Sequence, residues 1–111
     1  MAKFIRGDIV VGPFPFSDLT QAKRRPALII AVLEGNDYIF CQITSKDIRD
    51  KYSVPIEDSD FDDGSLKQNS NVRPNRIFTA DKNIILYRIG HLRPEKTDQI
   101  ILKINDILKN R

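Results

Sequence analysis

The sequence has few of the residues that most often perform catalysis. It contains one cysteine, one histidine and no tryptophan in 111 residues. The single cysteine, Cys41, excludes an internal disulfide and a zinc site built from several thiolates, and its apolar neighbours predict a buried thiol. His91 stands alone near the start of the last predicted element, and we interpret it as structural. Without a glycine-rich phosphate loop or a His-Glu-x-x-His pair, we expect no metal and no cofactor.

Long apolar runs are also absent. The longest, such as residues 27–33, are far shorter than the roughly 18 to 20 residues that cross a membrane. Residues 1–6 lack the apolar core of a signal peptide. We therefore expect a cytoplasmic protein without membrane contact, and the length predicts a single domain over residues 1–111.

Charge of either sign is moderate. The chain has 18 Lys and Arg against 15 Asp and Glu, a net charge of +3. A basic block, Lys23-Arg24-Arg25, is the main concentration of positive charge, and acids crowd into residues 57–63. Charge alone favours an ordinary solvated surface over a polyanion-binding one.

Short extended segments dominate what is present. Apolar and β-branched runs bounded by turn residues predict five or six short strands, and the acidic segment 57–64 is predicted to be a loop. From Pro94 onward the apolar residues recur at helical spacing, which predicts one C-terminal helix. The predicted strands lie at residues 7–11, 26–33, 38–44 and 53–56, with two more between residues 72 and 89.

Chemistry is most plausible where the basic block meets the second predicted strand. Arg25 precedes Pro26 at the start of that strand, so its guanidinium would be held on a rigid element. Arginine offers a planar fork that fits phosphate oxygens and stabilises the extra charge of a pentacoordinate transition state. Thr44 and Ser45 end the next strand, where their hydroxyls could face Arg25. Together these residues would form a phosphate site.

A series of motifs in fixed order resembles the PemK branch of the MazF-like toxins. The first three blocks are Gly7-Asp8-Ile9-Val10, Pro13-Phe14-Pro15-Phe16-Ser17 and the stretch from Lys23 to Ile30. Gln42-Ile43-Thr44-Ser45 follows, and then Asp60-Phe61, Gly64-Ser65-Leu66, Ser70 and Val72-Arg73-Pro74. The series ends with Phe78-Thr79-Ala80-Asp81-Lys82 and Ile89-Gly90-His91-Leu92, so the resemblance spans nearly the whole chain.

The resemblance implies an SH3-like β-barrel with a C-terminal helix that forms a homodimer and cuts single-stranded RNA without metal. It also implies a cognate antitoxin, through which alone the protein would contact DNA. Arg25 and Thr44 match the family's catalytic pair, and Arg73 matches an arginine that some members use. Asn75 stands where those members place an aspartate base, and residues 17–23 lack the histidine found in other members.

The implied reaction is attack of a ribose 2′-hydroxyl on its own phosphodiester, with Arg25 stabilising the phosphorane and Thr44 positioning the phosphate. The general base stays open between a water held by Asp18 and an arginine. Unstacked bases and the RNA backbone would contact a set of loop and strand-end residues. These are Phe16, Ser17, Gln21, Lys23, Arg24, Gln42, Ser45 and Lys46.

Two alternatives belong to other functional classes. The barrel could bind RNA or a partner protein without cutting, which Asn75 and the missing loop histidine would favour. It could also be a toxin of the same fold directed against a protein target, the topoisomerase gyrase.

Overall fold

The computed structural model describes residues 3–14 and 23–110. Within them one antiparallel sheet of seven strands curls into a half-barrel, with the strands in the order β4-β6-β3-β2-β1-β7-β5. The strands are β1 (Asp8–Gly12), β2 (Arg25–Val32), β3 (Asp37–Thr44), β4 (Val54–Ile56), β5 (Phe61–Gly64), β6 (Ser70–Asp81) and β7 (Tyr87–Leu92). Helix α1 (Pro94–Lys109) follows, and short 3-10 turns occupy Asp58–Asp60 and Lys82–Ile84.

Register irregularities bend the sheet. One of them lies in β6, where Cys41 pairs with Ile77 but the next residue, Gln42, pairs with Arg73. The residues between are bulged out around Pro74, which has no N–H to give to the ladder. The Cys41 thiol donates to the Arg73 carbonyl oxygen at 2.9 Å, so this carbonyl has a partner beside the bulge. Extra residues of this kind increase local twist and allow a single sheet to curl.

Both faces of the sheet are covered. One face packs against α1 through a cluster that includes Ile9, Leu28, Ile43 and Ile100. The other face holds a cluster of aromatic rings. The centroid of the Phe14 ring lies 5.1 Å from that of Phe40 and 5.3 Å from that of Phe78. These two clusters explain why the second strand reads as a continuous apolar run, since a strand buried on both faces needs apolar residues at successive positions.

Helix α1 begins at Pro94, as the sequence predicts, because proline suits the first helical position and its missing N–H is not needed there. Ile100 and Ile104 of the predicted stripe are buried, whereas Leu108 is 71% exposed. No helix in the described ranges is long and apolar enough to cross a membrane.

Two expectations about the strands are wrong. The acidic segment 57–64 is not a loop throughout, because its second half forms β5 against β7. The strand count is seven within the described residues, one more than the upper expectation. Phe61 begins β5 and is 5% exposed, so its side chain anchors this strand in the core.

Candidate active site

Arg25 and Thr44 lie at neighbouring strand ends. Arg25 is the first residue of β2 and Thr44 is the last residue of β3. Ala27 pairs with Gln42, so in the same antiparallel register Arg25 stands opposite Thr44, two positions further along. Both residues line one cavity of about 530 Å³. The structure therefore brings together the two side chains that the sequence assigns to a phosphate site.

The Thr44 hydroxyl is oriented by a local backbone contact. Its Oγ1 accepts a hydrogen bond from the Lys46 N–H at 3.2 Å. An oxygen that accepts in this way keeps its own proton for another acceptor. Arg25 pairs with Gly12 through the strand backbone, but its side chain makes no hydrogen bond or ion pair with other described residues, so its guanidinium is available to an anion.

The cavity contains a strong excess of positive charge. Arg24, Arg25, Lys46 and Lys67 all line it, and none of its described lining residues is Asp or Glu. Low-dielectric walls around charges of one sign concentrate their field and attract counter-ions. The remaining lining residues are small, polar or apolar: Val11, Pro26, Ile43, Thr44, Ser45, Ser65, Leu66, Gln68, Ser70, Tyr87 and Ile89.

One wall of the cavity comes from the β5–β6 loop, residues 65–69, which the sequence did not assign to the site. The loop begins at Gly64, whose φ of 72° lies in the left-handed region. A Cβ on Gly64 would stand 2.1 Å from the Ile89 carbonyl oxygen, so only glycine fits this close approach to β7. The loop adds Lys67 and Gln68 to the cavity.

The start of this loop is fixed by a charged network centred on Arg88. Its Nη2 donates to both carboxylate oxygens of Asp63, at 2.7 and 2.8 Å, and its Nε donates to Asp8 at 3.1 Å. The bond to Asp63, and then that to Asp8, raises the pKa of the Arg88 guanidinium. His91 shares Asp8 through Nδ1 at 2.8 Å. The network joins β1, β5 and β7 behind the loop, which agrees with the structural interpretation of His91.

Comparisons with known proteins identify the family. A model described as "PemK-like, MazF-like toxin of type II toxin-antitoxin system" matches residues 5–108. The chain belongs to this family. Comparison with curated protein sequences gives no significant match.

Solved structures of MazF toxins share the fold and confirm the expected class of small barrel with a C-terminal helix. The "Mycobacterium tuberculosis toxin MazF-mt6" is 19% identical, with a TM-score of 0.72 over 94% of this chain and 98% of that one. An "Endoribonuclease in complex with its cognate antitoxin from Mycobacterial species" is 18% identical, with a TM-score of 0.75 over 98% of each chain. The Deinococcus radiodurans MazE-MazF structure is 14% identical, with a TM-score of 0.72 over 96% of this chain and 95% of that one.

Arg73 of this PemK-like toxin does not line the cavity. Its Nη2 donates to Asp50 Oδ2 at 3.1 Å, and its side chain is 15% exposed. The Nε of Arg73 is buried without a hydrogen-bond partner in the described part of the chain. The structure therefore does not bring Arg73 together with Arg25 and Thr44.

The other RNA-binding candidates divide into four groups. Arg24, Ser45 and Lys46 line the cavity with Arg25. Gln42 lies in a separate hollow of about 200 Å³ beside Arg76, Ile77 and Phe78, and Lys23 is exposed outside both. Phe16, Ser17 and Gln21, with the candidate base Asp18, lie outside the described residues.

Lys67, Gln68 and Tyr87 are among the cavity residues that sequence reasoning did not assign to the site. Lys67 and Gln68 follow the Gly64-Ser65-Leu66 motif directly, so extending the motif by two residues would have found them. Tyr87 had no such signal. Within residues 3–14 and 23–110, no group of three His, Cys, Asp or Glu is placed to hold a metal ion.

Proposed function

We propose that this toxin is a sequence-selective endoribonuclease that cuts single-stranded RNA without a metal ion. The observation that supports this most is the pairing of Arg25 with Thr44 inside a cavity that four cationic residues line. The positive charge of the cavity suits a polyanionic ligand, and two structural neighbours are named as endoribonucleases.

The proposed reaction forms a bond from a ribose 2′-oxygen to the adjacent phosphorus and breaks the bond from that phosphorus to the 5′-oxygen of the next nucleotide. The 2′-hydroxyl loses its proton to a base and the departing 5′-oxygen takes a proton from water, so the products are a 2′,3′-cyclic phosphate and a 5′-hydroxyl. Arg25 stabilises the charge on the phosphorane oxygens, a task that a metal ion performs in other nucleases. The Thr44 hydroxyl, held by Lys46 N–H, donates to a phosphate oxygen and fixes the angle of attack. DNA lacks the 2′-hydroxyl and is not a substrate.

Arg73 has a different role in this proposal. Because Asp50 holds its guanidinium outside the cavity, we assign Arg73 to supporting the segment before β4 and not to contact with the phosphate. Asn75 is exposed and has no basic lone pair on its amide, so it does not accept the 2′-hydroxyl proton. The acceptor of that proton stays open between a water held by Asp18, which lies outside the described residues, and an arginine.

We also propose a homodimer that a cognate antitoxin inhibits in the cytoplasm. In a barrel this small, the apolar strand from Ala27 to Val32 and the C-terminal helix are hard to cover in a monomer, although residues 27–29 are already buried within the protomer. The apolar surface that remains includes Val32, 48% exposed, and Leu102, 63% exposed. A monomeric mass at micromolar concentration would contradict the dimer, and failure to co-purify with the product of an adjacent small gene would contradict the antitoxin.

The activity is tested with a long single-stranded RNA in EDTA, beside DNA of the same sequence. We expect discrete RNA fragments with cyclic-phosphate or 3′-phosphate ends and intact DNA. Arg25→Ala should lower kcat by about 10²- to 10³-fold, as loss of one oxyanion donor does in other enzymes. Thr44→Val should lose activity that Thr44→Ser retains, because serine keeps the hydroxyl.

The matched control is Arg6→Ala, which removes an exposed arginine that contacts Asp98 of the helix. Its cutting rate should equal that of the wild type. RNA that binds but stays intact across many sequences would favour a non-catalytic RNA-binding module. Equal cutting by Arg25→Ala and wild type would refute our assignment of the catalytic arginine.

A further inference from the structure

Tyr87 is an aromatic residue on the wall of the cationic cavity with no function assigned so far. We propose that its ring stacks against a base of the bound RNA, so that the cavity holds a base as well as phosphates. This inference rests on the proposed function and specifies one subsite within it.

The position of Tyr87 keeps its ring accessible. Tyr87 begins β7 and pairs with Val11 of β1, which is only 8% exposed. Tyr87 itself is 47% exposed, since β5 pairs with β7 only from Gly90 to Leu92 and leaves Tyr87 without a strand on that side. Within the described chain its hydroxyl has no hydrogen-bond partner and its ring has no aromatic neighbour. A large ring without partners at a cavity wall is free to contact a ligand.

Apolar residues line the cavity together with Tyr87. Ile89 lies two residues after Tyr87 along β7, and Val11 of β1 is the cross-strand neighbour of Tyr87. Ile43 and Leu66 line the same space. These side chains give the cavity an apolar surface, while Arg24, Arg25, Lys46 and Lys67 give it a cationic one.

A ligand that satisfies both surfaces must be flat and apolar at one end and anionic at the other. A nucleotide has this character, because its base offers a π-face and its phosphate carries the charge. A volume of about 530 Å³ falls within the range of roughly 300 to 1,000 Å³ typical of small-ligand pockets. A polyphosphate or an acidic peptide would leave the apolar surface uncovered.

The other two tyrosines cannot perform this task. Tyr38 is 5% exposed in the core, and Tyr52 lies beside Lys51 at a different hollow. The chain has no tryptophan. Tyrosine fluorescence therefore reports on three rings, of which only Tyr87 lines the cavity.

The test measures binding of a 2′-O-methyl oligoadenylate, whose blocked 2′-oxygens prevent cutting, to the full-length protein. A second oligonucleotide of the same length and backbone carries abasic sugars throughout. Tyr87→Ala should weaken binding of the oligoadenylate by about ten- to a hundredfold, the usual effect of removing a stacking ring. The abasic strand should bind wild type and Tyr87→Ala equally, because it has no base to stack.

Two control variants accompany this comparison. Tyr87→Phe keeps the ring and should bind within about twofold of the wild type. Leu86→Ala removes an exposed apolar side chain next to Tyr87 that does not line the cavity, and it should have no effect. Oligoadenylate should quench the tyrosine fluorescence of the wild type, and this quenching should disappear in Tyr87→Ala.

The possible results separate this inference from the proposed nuclease activity. Equal weakening of both strands by Tyr87→Ala, or no weakening of either, overturns the stacking subsite even if RNA is still cut. Base-dependent weakening in a protein that never cuts RNA supports the subsite and overturns the nuclease. No binding of either strand by the wild type overturns the subsite.

Discussion

Arg73 Nη2 and Asp50 Oδ2 form an ion pair 3.1 Å long that joins β6 to the segment before β4. The second oxygen of Asp50 accepts the backbone N–H groups of Ser53 at 2.8 Å and Tyr52 at 3.0 Å. One carboxylate thus caps a turn and holds an arginine at the same time. The family resemblance assigns the Arg73 guanidinium a catalytic role, but in this structure it is held by Asp50 in an ion pair that connects two segments of the fold.

We expect Arg73→Leu to change stability more than catalysis. Loss of a partly buried guanidinium that bonds a carboxylate should lower the free energy of unfolding by roughly 1 to 3 kcal/mol. Cutting of RNA should stay within about threefold of the wild type, because Arg73 does not line the cavity. Urea unfolding and initial cutting rates check both parts. A hundredfold slower enzyme of unchanged stability would instead make Arg73 catalytic.

The stability contribution of Asp50 should depend on pH. The Ser53 N–H contributes most to lowering the pKa of Asp50 below its ordinary 3.8, desolvation opposes this, and the Tyr52 N–H and Arg73 add to the lowering. A lowered folded-state pKa stabilises the fold above pH 3.8, and this contribution is lost as the pH falls through the lowered value.

Wild type should therefore exceed Asp50→Asn in urea midpoint at neutral pH, and the difference should shrink as the pH falls below 3.8 and through the lowered pKa of Asp50. Unfolding curves over this pH range check the prediction. A difference that is unchanged at the acidic end would show that the charge of Asp50 does not matter.

Salt should weaken RNA binding in proportion to the number of phosphate contacts. Each contact with single-stranded nucleic acid contributes about −0.7 to the slope of log K against log salt. Lys67→Ala should make this slope shallower by about that amount, whereas Lys109→Ala, at the exposed end of α1, should leave it unchanged. Binding of the 2′-O-methyl oligoadenylate at several salt concentrations measures both. Parallel lines for Lys67→Ala and wild type would remove Lys67 from the phosphate contacts.

Cys41 should resist thiol reagents in the folded protein. It is fully buried, and burial raises the pKa of its thiol to about 12, against a smaller lowering effect of the contact with the Arg73 backbone. The thiolate fraction at pH 8 is therefore about 10⁻⁴. An aromatic disulfide reagent should label Cys41 only when urea unfolds the chain. Rapid stoichiometric labelling without urea would contradict this burial.

Local pattern was enough to predict the helix and the central strands. Pro94 and the spacing of Ile100 and Ile104 determine α1 without help from the rest of the chain. The same holds for residues 27–29, whose apolar side chains need cover on both faces of a sheet.

The sequence pattern did not predict the elements whose structure depends on the strands with which they pair. Asp62 and Asp63 have low strand propensity, yet β5 forms because β7 offers an edge and Arg88 neutralises Asp63. Tyr87 was missed for a related reason. Its place in the cavity depends on the pairing of β7 with β1, a contact between residues more than 70 positions apart in the chain.

The close approach of Gly64 to Ile89 fixes the start of the 65–69 loop, so the backbone of this cavity wall is held in place while some of its side chains are not. Residues 65–69 are held at one end by the Gly64 turn and Arg88, and at the other by the first residue of β6. Leu66 packs against the core, whereas the anchors do not use the side chains of residues 67–69, so those three positions can vary while the strands stay in place. Under the proposed function, substitutions at these positions would change which RNA sequence the cavity prefers, while Gly64 keeps the start of the loop in place.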